Sequence, residues 1–404
     1  MPRGTMDTLA VVFAVAAIVP LLVDRVAKWI AIPAVVLEIL LGIVIGPQAL
    51  GWAHEDNTVT FIADFGLAML MFLAGYEIEF DRIRGTPLRL AGLGWLCSVA
   101  LGLGFGVLIH GFTFSSLVIG LALTTTALGT ILPIVRDAGL LATPLGVRVL
   151  AVGAFGEFGP IVAVALLLSD QQVGRTAAVL VGFAVAATAA VWLALRPRSA
   201  RITRLVTVTL GTSVQFAVRL ALFTIVVMLW VANALGLDVL LGAFAAGVVV
   251  RLALDTGHPA EAGVVRDKLE SIAFGMFVPF FFVVSGMRFD LRALLTHPMD
   301  LLLVPVFAIL FMVVRGVPTL LLHRHDLAAR PRQAFALLAS AALPLVVVIT
   351  TIGTETGTMP ASTAAALVGA GMVTVLILPL IALRRAQPAQ ADEQVTARPA
   401  GSTG

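Results

Sequence analysis

Charge is what this chain has least of. Asp, Glu, Lys and Arg make up 12% of it, where a soluble domain carries about 25%. Mean hydropathy is +1.06. That shortage excludes an ordinary water-soluble fold. Cysteine is almost missing as well: Cys97 is alone, so no disulfide can close within the chain. Its apolar setting predicts a buried, inert thiol. Lysine occurs only at Lys28 and Lys268, and the arginine and alanine richness suggests a GC-rich bacterial source. No phosphate-cradling glycine loop, metal-ligand spacing or nucleophile–base pair is present, so an enzyme reading has no footing and no cofactor is expected. The net charge of +3 belongs to loop topology and predicts no nucleic-acid partner.

What the chain has is serial apolar runs. Thirteen can be drawn, at 8–24, 32–52, 61–79, 88–110, 115–135, 144–168, 176–195, 212–233, 238–254, 269–287, 299–322, 333–353 and 360–383. They predict an all-α polytopic membrane protein of about 13 transmembrane helices. The first run follows only Arg3 and Asp7 and lacks a small-residue cleavage site, so it reads as a retained span. Arg3, Arg175, Arg288 and Arg292 fall on the N-terminal side. Most other loop arginines, among them Arg25, Arg82, Arg84, Arg196, Arg198, Arg201 and Arg330, fall on the opposite side. The N-terminus is therefore expected outside and the C-terminus in the cytoplasm. Residues 1–385 form the membrane domain on this reading. The polar segment 386–404 is expected to be a disordered tail, with no soluble regulatory domain.

An internal echo suggests inverted repeats. Span three ends Met71-Phe72-Leu73-Ala74-Gly75-Tyr76-Glu77, and span ten ends Phe282-Val283-Val284-Ser285-Gly286-Met287-Arg288. Gly75 and Gly286 align, and seven spans separate the copies, so they cross the membrane in opposite senses. Span five carries Thr124, Thr125, Thr126, Gly129 and Pro133. Its repeat partner, span twelve, carries Ser340 and Pro344. Interrupted helices at matching repeat positions point to a transport site near the midplane. Threonine hydroxyls and freed carbonyls there can ligate a cation.

Few charges lie within the spans. Glu157 sits deep in the run 140–168, beside Gly156, Gly159 and Pro160, which are expected to loosen the helix. A carboxylate at that depth costs a few kcal/mol or more and marks a functional site. Arg315 lies mid-span and needs a partner or a carbonyl cage; its expected work is to neutralise negative half-helix ends or to pair with Glu157 in the empty state. Arg148 is about 13 Å from Glu157 along the axis, too far to pair. Arg148 and Arg219 are expected to snorkel. Glu38 reads as a structural carboxylate between helices or at a watery crevice, or as a second ion site. Glu77, Glu79 and Asp81 are expected at the cytoplasmic interface, and the histidines, including His258, His297, His323 and His325, in solvated loops or at span ends.

Several motifs together resemble the monovalent cation:proton antiporters, in the branch holding Kef-type potassium-efflux proteins and bacterial sodium/proton exchangers. They are Ile32-Pro33 through Glu38 to Gly46-Pro47, Leu73-Ala74-Gly75-Tyr76-Glu77, Leu241-Gly242-Ala243-Phe244-Ala245-Ala246-Gly247, and Val278-Pro279 through Gly286-Met287. The resemblance covers about residues 8–383. It implies a sodium/proton antiporter-like fold with two crossed discontinuous helices. It also implies a homodimer, with spans 1–3 and 8–10 mainly for dimerisation and spans 4–6 and 11–13 mainly for transport. By the same resemblance, Glu157 stands where the family has its ion-binding aspartate, and Thr126 on the threonine of the first broken helix. Arg315 stands where the branch usually has lysine. Gly156 replaces the acid or amide that precedes the binding carboxylate. The expected cation and proton ligands are thus Glu157, Thr125, Thr126 and Gly156, with Glu157 and Thr126 holding Na⁺ or K⁺. One carboxylate shared in turn by a proton and a cation implies electroneutral 1:1 exchange. A Kef-like efflux pore and a non-transporting membrane subunit are the alternatives. The expected surroundings are membrane lipid, in the inner membrane of a bacterium.

Overall fold

A computed structural model describes residues 3–27, 33–78, 85–167, 173–195, 209, 215–257, 259–289, 291 and 301–396. Glu79, Asp81, His258, His297 and residues 397–404 lie outside them. Among the described residues every regular element is helical. Ten stretches are long and apolar enough to cross a membrane, and Ala34–Ile45, Ala178–Ala189 and Val239–Leu254 are shorter apolar helices. This is a polytopic helical membrane protein.

The chain divides into two compact units. The first comprises Met1–Glu79 and Ile161–Leu291. It contains α1 (Arg3–Ala27), α2 (Ala34–Ile45), α3 (Asn57–Tyr76), α8 (Val173–Leu195), α9 (Phe216–Ala234), α10 (Val239–Gly257), α11 (Pro259–Ile272) and α12 (Val278–Arg288). Val12, Val19, Ile45, Val59, Phe280 and Val283 meet in its core. The two motif glycines do equivalent work here. Gly286 lets α12 close on the Ile39 carbonyl of α2, and Gly75 lets α3 close on the Phe244 carbonyl of α10. A Cβ at either would overlap backbone, so only glycine permits these crossings. Span three thus packs on span nine as span ten packs on span two, the pairing that inverted repeats require.

Tyr76 and Glu77 finish α3 in a buried cluster. The Tyr76 hydroxyl donates to the Ala262 carbonyl at 3.2 Å, and Arg251 lies over its ring. Glu77 pairs with Arg266, which also holds Glu270 at 2.8 Å. Glu77 is therefore a buried ion-pair partner.

The second unit comprises Phe80–Pro160 and Arg292–Gly404. Its helices are α4 (Thr86–His110), α5 (Phe114–Leu123), α6 (Leu128–Asp137), the part of α7 (Pro144–Leu167) up to Pro160, α13 (Leu303–Phe311), α14 (Val317–Leu322), α15 (Ala329–Ala339), α16 (Pro344–Glu355) and α17 (Ala361–Thr396). α17 runs past Arg385 to Thr396. Cys97 is exposed on the surface of α4, not buried, because an apolar run in sequence does not say which face of its helix packs on protein.

Two π-helical turns interrupt spans, Ala273–Phe277 and Met312–Gly316. Each is followed, after one residue, by a proline, Pro279 or Pro318. A proline in a helix lacks the N–H and crowds the carbonyl four residues back; widening the preceding turn relieves both. The second π turn carries Arg315.

Candidate ion-binding site

Both predicted interruptions are real. α5 stops at Leu123 and α6 starts at Leu128; α15 stops at Ala339 and α16 starts at Pro344. The threonine run explains the first stop. Thr124 and Thr125 turn their hydroxyls onto the Leu121 and Ala122 carbonyls at 2.8 Å, serving the helix end that has lost its own partners. The break therefore precedes Gly129. Pro133 lies inside α6 and marks no interruption, because the threonines end the helix before the proline is reached. In the second break Ser340 donates to the Ala336 carbonyl at 2.7 Å, and Pro344 opens α16, where its missing N–H is not needed.

The two breaks are joined by hydrogen bonds. The Ala127 N–H donates to the Ala341 carbonyl at 2.8 Å, and the Thr126 hydroxyl to the Ala339 carbonyl at 2.7 Å. Thr374 of α17 accepts from the Ala342 N–H at 3.3 Å. The non-helical backbone of the breaks is thereby satisfied by protein rather than left to lipid.

Glu157 reaches this crossing from α7 and is 1% exposed. Its Oε1 accepts from the Gly129 N–H at 3.2 Å, and the Leu128 N–H faces the same carboxylate. Both donors belong to the first turn of α6, so the carboxylate sits on the positive end of a half-helix. Its Oε2 is buried and, among the described residues, has no hydrogen-bond partner. A buried anionic oxygen with no donor is a place for a proton or a cation.

The glycines around Glu157 do not loosen the helix, as α7 runs unbroken from Pro144 to Leu167 and contains Pro160. They admit neighbours instead. A Cβ at Gly156 would lie 2.6 Å from Thr126 Oγ1 and 2.8 Å from Arg315 Nη2. Gly159 makes the same allowance for the Trp95 ring. The Gly156 carbonyl accepts from the Thr126 N–H at 3.1 Å.

Arg315 is 2% exposed. It finds a cage of neutral oxygens: Thr126 Oγ1 at 2.9 Å, Val152 O at 3.1 Å and Ser98 Oγ at 3.4 Å. Through Thr126 its charge reaches the Ala339 carbonyl, the negative end of a half-helix. Among the described residues no ion pair joins Arg315 to Glu157. Of the expected set, Glu157, Gly129, Thr126, Gly156 and Arg315 are brought together, while the Thr125 hydroxyl serves α5. Ser98, Trp95 and Thr374 were missed. Each is one ordinary residue in an apolar run, and no spacing signals it.

The remaining charges fall elsewhere. Arg148 donates to the Pro144 carbonyl at 2.8 Å and pairs with Asp326 of the α14–α15 loop at 3.7 Å. Arg219 is exposed. His325 is exposed as expected, but His323 is buried, with Nδ1 at 3.1 Å from the Thr319 carbonyl and its ring edge-on to Phe335. Packing of α14 on α15 covers it, which no loop-based reading could anticipate.

The fold has known counterparts. The sodium proton antiporter MjNhaP1 of Methanocaldococcus jannaschii superposes with a TM-score of 0.68, covering 98% of this chain and 100% of that one at 14% identity. The putative Na⁺/H⁺ antiporter YjbQ of Bacillus subtilis is 24% identical over 94% of this chain and 63% of its own length. The chain thus spans less than two thirds of that relative. A probable Na⁺/H⁺ antiporter of M. jannaschii is 25% identical over 93% of this chain and 96% of its own length. The family described as the transmembrane sodium/hydrogen exchangers matches residues 13–383, and to that family this chain belongs.

Proposed function

We propose that this protein exchanges protons for a monovalent cation, Na⁺ or K⁺, by alternating access at Glu157. The observation that carries the reading is the Glu157 carboxylate itself. One oxygen is held by the α6 N-terminus and the other is buried without a partner among the described residues, where two broken helices meet. A proton or a dehydrated cation can occupy that oxygen, but not both, and mutual displacement couples their fluxes. The Thr126 oxygen and nearby break carbonyls complete the cation's coordination. Arg315 stays charged throughout and balances the half-helix carbonyl end. With one carboxylate and a fixed guanidinium, exchange is 1:1 and electroneutral.

The expected thirteen spans count the three shorter apolar helices with the ten longer ones. The protein works as a homodimer in a bacterial inner membrane, with the N-terminus outside. Spans 4–6 and 11–13 form the moving part, and spans 1–3 and 8–10 mainly the dimerising part. The names of the relatives, which include a Na⁺/H⁺-K⁺ antiporter of Bacillus cereus, support this substrate class.

Proteoliposomes carrying a pH gradient test it. Adding Na⁺, Li⁺ and K⁺ in turn should collapse the gradient for at least one ion, at a rate independent of imposed membrane potential. Glu157→Gln should stop exchange with the fold intact. Exchange that persists in that variant removes Glu157 from the site.

A further inference from the structure

The first unit holds a second buried carboxylate that the transport site does not use. Glu38 of α2 is 5% exposed, and among the described residues no hydrogen bond or ion pair reaches it. It lines a cavity of ≈ 400 Å³ between α1, α2 and the π turn Ala273–Phe277. The π turn shapes this space. Phe274, Gly275 and Met276 all line it, and a Cβ built at Gly275 meets nothing within 4 Å. Ala16 and Ala17 on α1 keep the facing wall low.

The lining decides what fits. Among the described residues that line it, Glu38 is the only charged side chain, and none carries a hydroxyl or amide. A dehydrated alkali ion needs several oxygens around it, and one carboxylate does not supply them. A divalent ion would be left with uncompensated charge. An uncharged apolar molecule would leave the carboxylate unpaired, which is costly. The volume lies in the range of small-molecule sites, from about 300 Å³ upward. What satisfies every wall is one positive group on a compact apolar body. Phe13 and Phe274 add aromatic rings to the lining, a surface that suits both an apolar body and a positive group.

We propose that the cavity beside Glu38 binds a small organic monocation, a primary ammonium or amidinium borne on a compact apolar body. The nitrogen donates to the Glu38 carboxylate, and the apolar body packs against the α1 and π-turn walls. This site is independent of Glu157, which belongs to the other unit, and of the proposed exchange.

Calorimetric titration of the purified full-length protein with benzylammonium and with benzamidinium chloride, at fixed Na⁺ and pH, tests the proposal. Saturable binding of one molecule per chain is expected. Glu38→Gln should weaken it at least tenfold, and so should Gly275→Leu, which fills the cavity. Glu157→Gln should leave it unchanged, and benzyl alcohol should not saturate. Circular dichroism checks the fold of each variant; should Glu38→Gln unfold, Gly275→Leu carries the test. The proposal is overturned if the wild type shows no saturable binding, if the folded Glu38 or Gly275 variant binds as the wild type does, or if benzyl alcohol binds equally. Loss of binding in Glu157→Gln would place the amine at the transport carboxylate instead. Occupancy by phosphatidylethanolamine in nanodiscs, with neither small cation binding, would make the occupant a lipid and also overturn it.

Discussion

The Thr126 hydroxyl links Arg315 to the opposite broken helix. It accepts from Arg315 Nε at 2.9 Å and donates to the Ala339 carbonyl at 2.7 Å. One side chain from the first break thus anchors the buried cation and the end of α15 together. Thr126→Val keeps the shape but removes both bonds, leaving a buried guanidinium donor and a carbonyl unsatisfied. A loss of about 1–3 kcal/mol is expected, read as a lower melting temperature, with transport reduced. Thr126→Ser should restore most of both. A valine variant as stable as wild type would show that the bridge contributes nothing.

Gly156 and Arg315 depend on each other. The guanidinium lies where a side chain at 156 would begin, 2.8 Å from the Cβ position. Gly156→Ala should cost about 1–3 kcal/mol through overpacking. The double variant Gly156→Ala, Arg315→Met should be less destabilised than the sum of the single changes, because the second removes what the first collides with. Additive melting shifts would contradict the shared space.

The motif glycine of span ten makes a different prediction, in the first unit. Gly286→Ala drives a methyl group into the Ile39 carbonyl. Backbone cannot swing aside as a side-chain tip can, so the cost should reach the upper part of the range for overpacking, about 3 kcal/mol. Gly263→Ala, where a Cβ meets open space, is the control and should change the melting temperature little. Equal melting for both variants would remove the close crossing as a stabilising feature.

Acid should weaken the α14–α15 junction through His323. Burial is the largest influence on it and holds its pKa below the ordinary 6.5; the neighbouring Arg148 acts in the same direction, while the Thr319 carbonyl and Asp326 partly oppose them. Because the folded pKa is lowered, the unfolded chain takes up the proton first as pH falls. Stability from this group is therefore present above about pH 6.5 and is lost as pH falls from there toward the folded value. Melting temperatures at pH 7.5 and 5.5 should differ by ~2 °C more in the wild type than in His323→Gln. An unchanged pH dependence in that variant would exclude this histidine as the cause.

Much of this architecture could be read from the sequence. Scarce charge and repeated apolar runs are enough for a helical membrane protein, since lipid tolerates only backbone that satisfies itself. The alignment of Gly75 with Gly286 anticipated two equivalent helix crossings. The threonines of span five and Pro344 of span twelve located both breaks. Glu157 stood out because a lone acid in an apolar run has few structural explanations.

Other features depended on which helices meet. Pro133 suggested a break that the Thr124–Ala127 stretch had already made. The glycines beside Glu157 looked like helix weakeners and proved to be room for Thr126, Arg315 and Trp95. His323 read as a loop residue and is buried against Phe335. The cavity that Glu38 lines joins residues of α1, α2 and the π turn, far apart in the chain, and has no signature in sequence. Composition and periodicity determine that a segment is a helix in lipid, because each helix satisfies its own backbone. Which oxygens cage Arg315, and which oxygen of Glu157 is left open, is decided by contacts between residues as far apart in the chain as 126 and 339. Only folding brings those together.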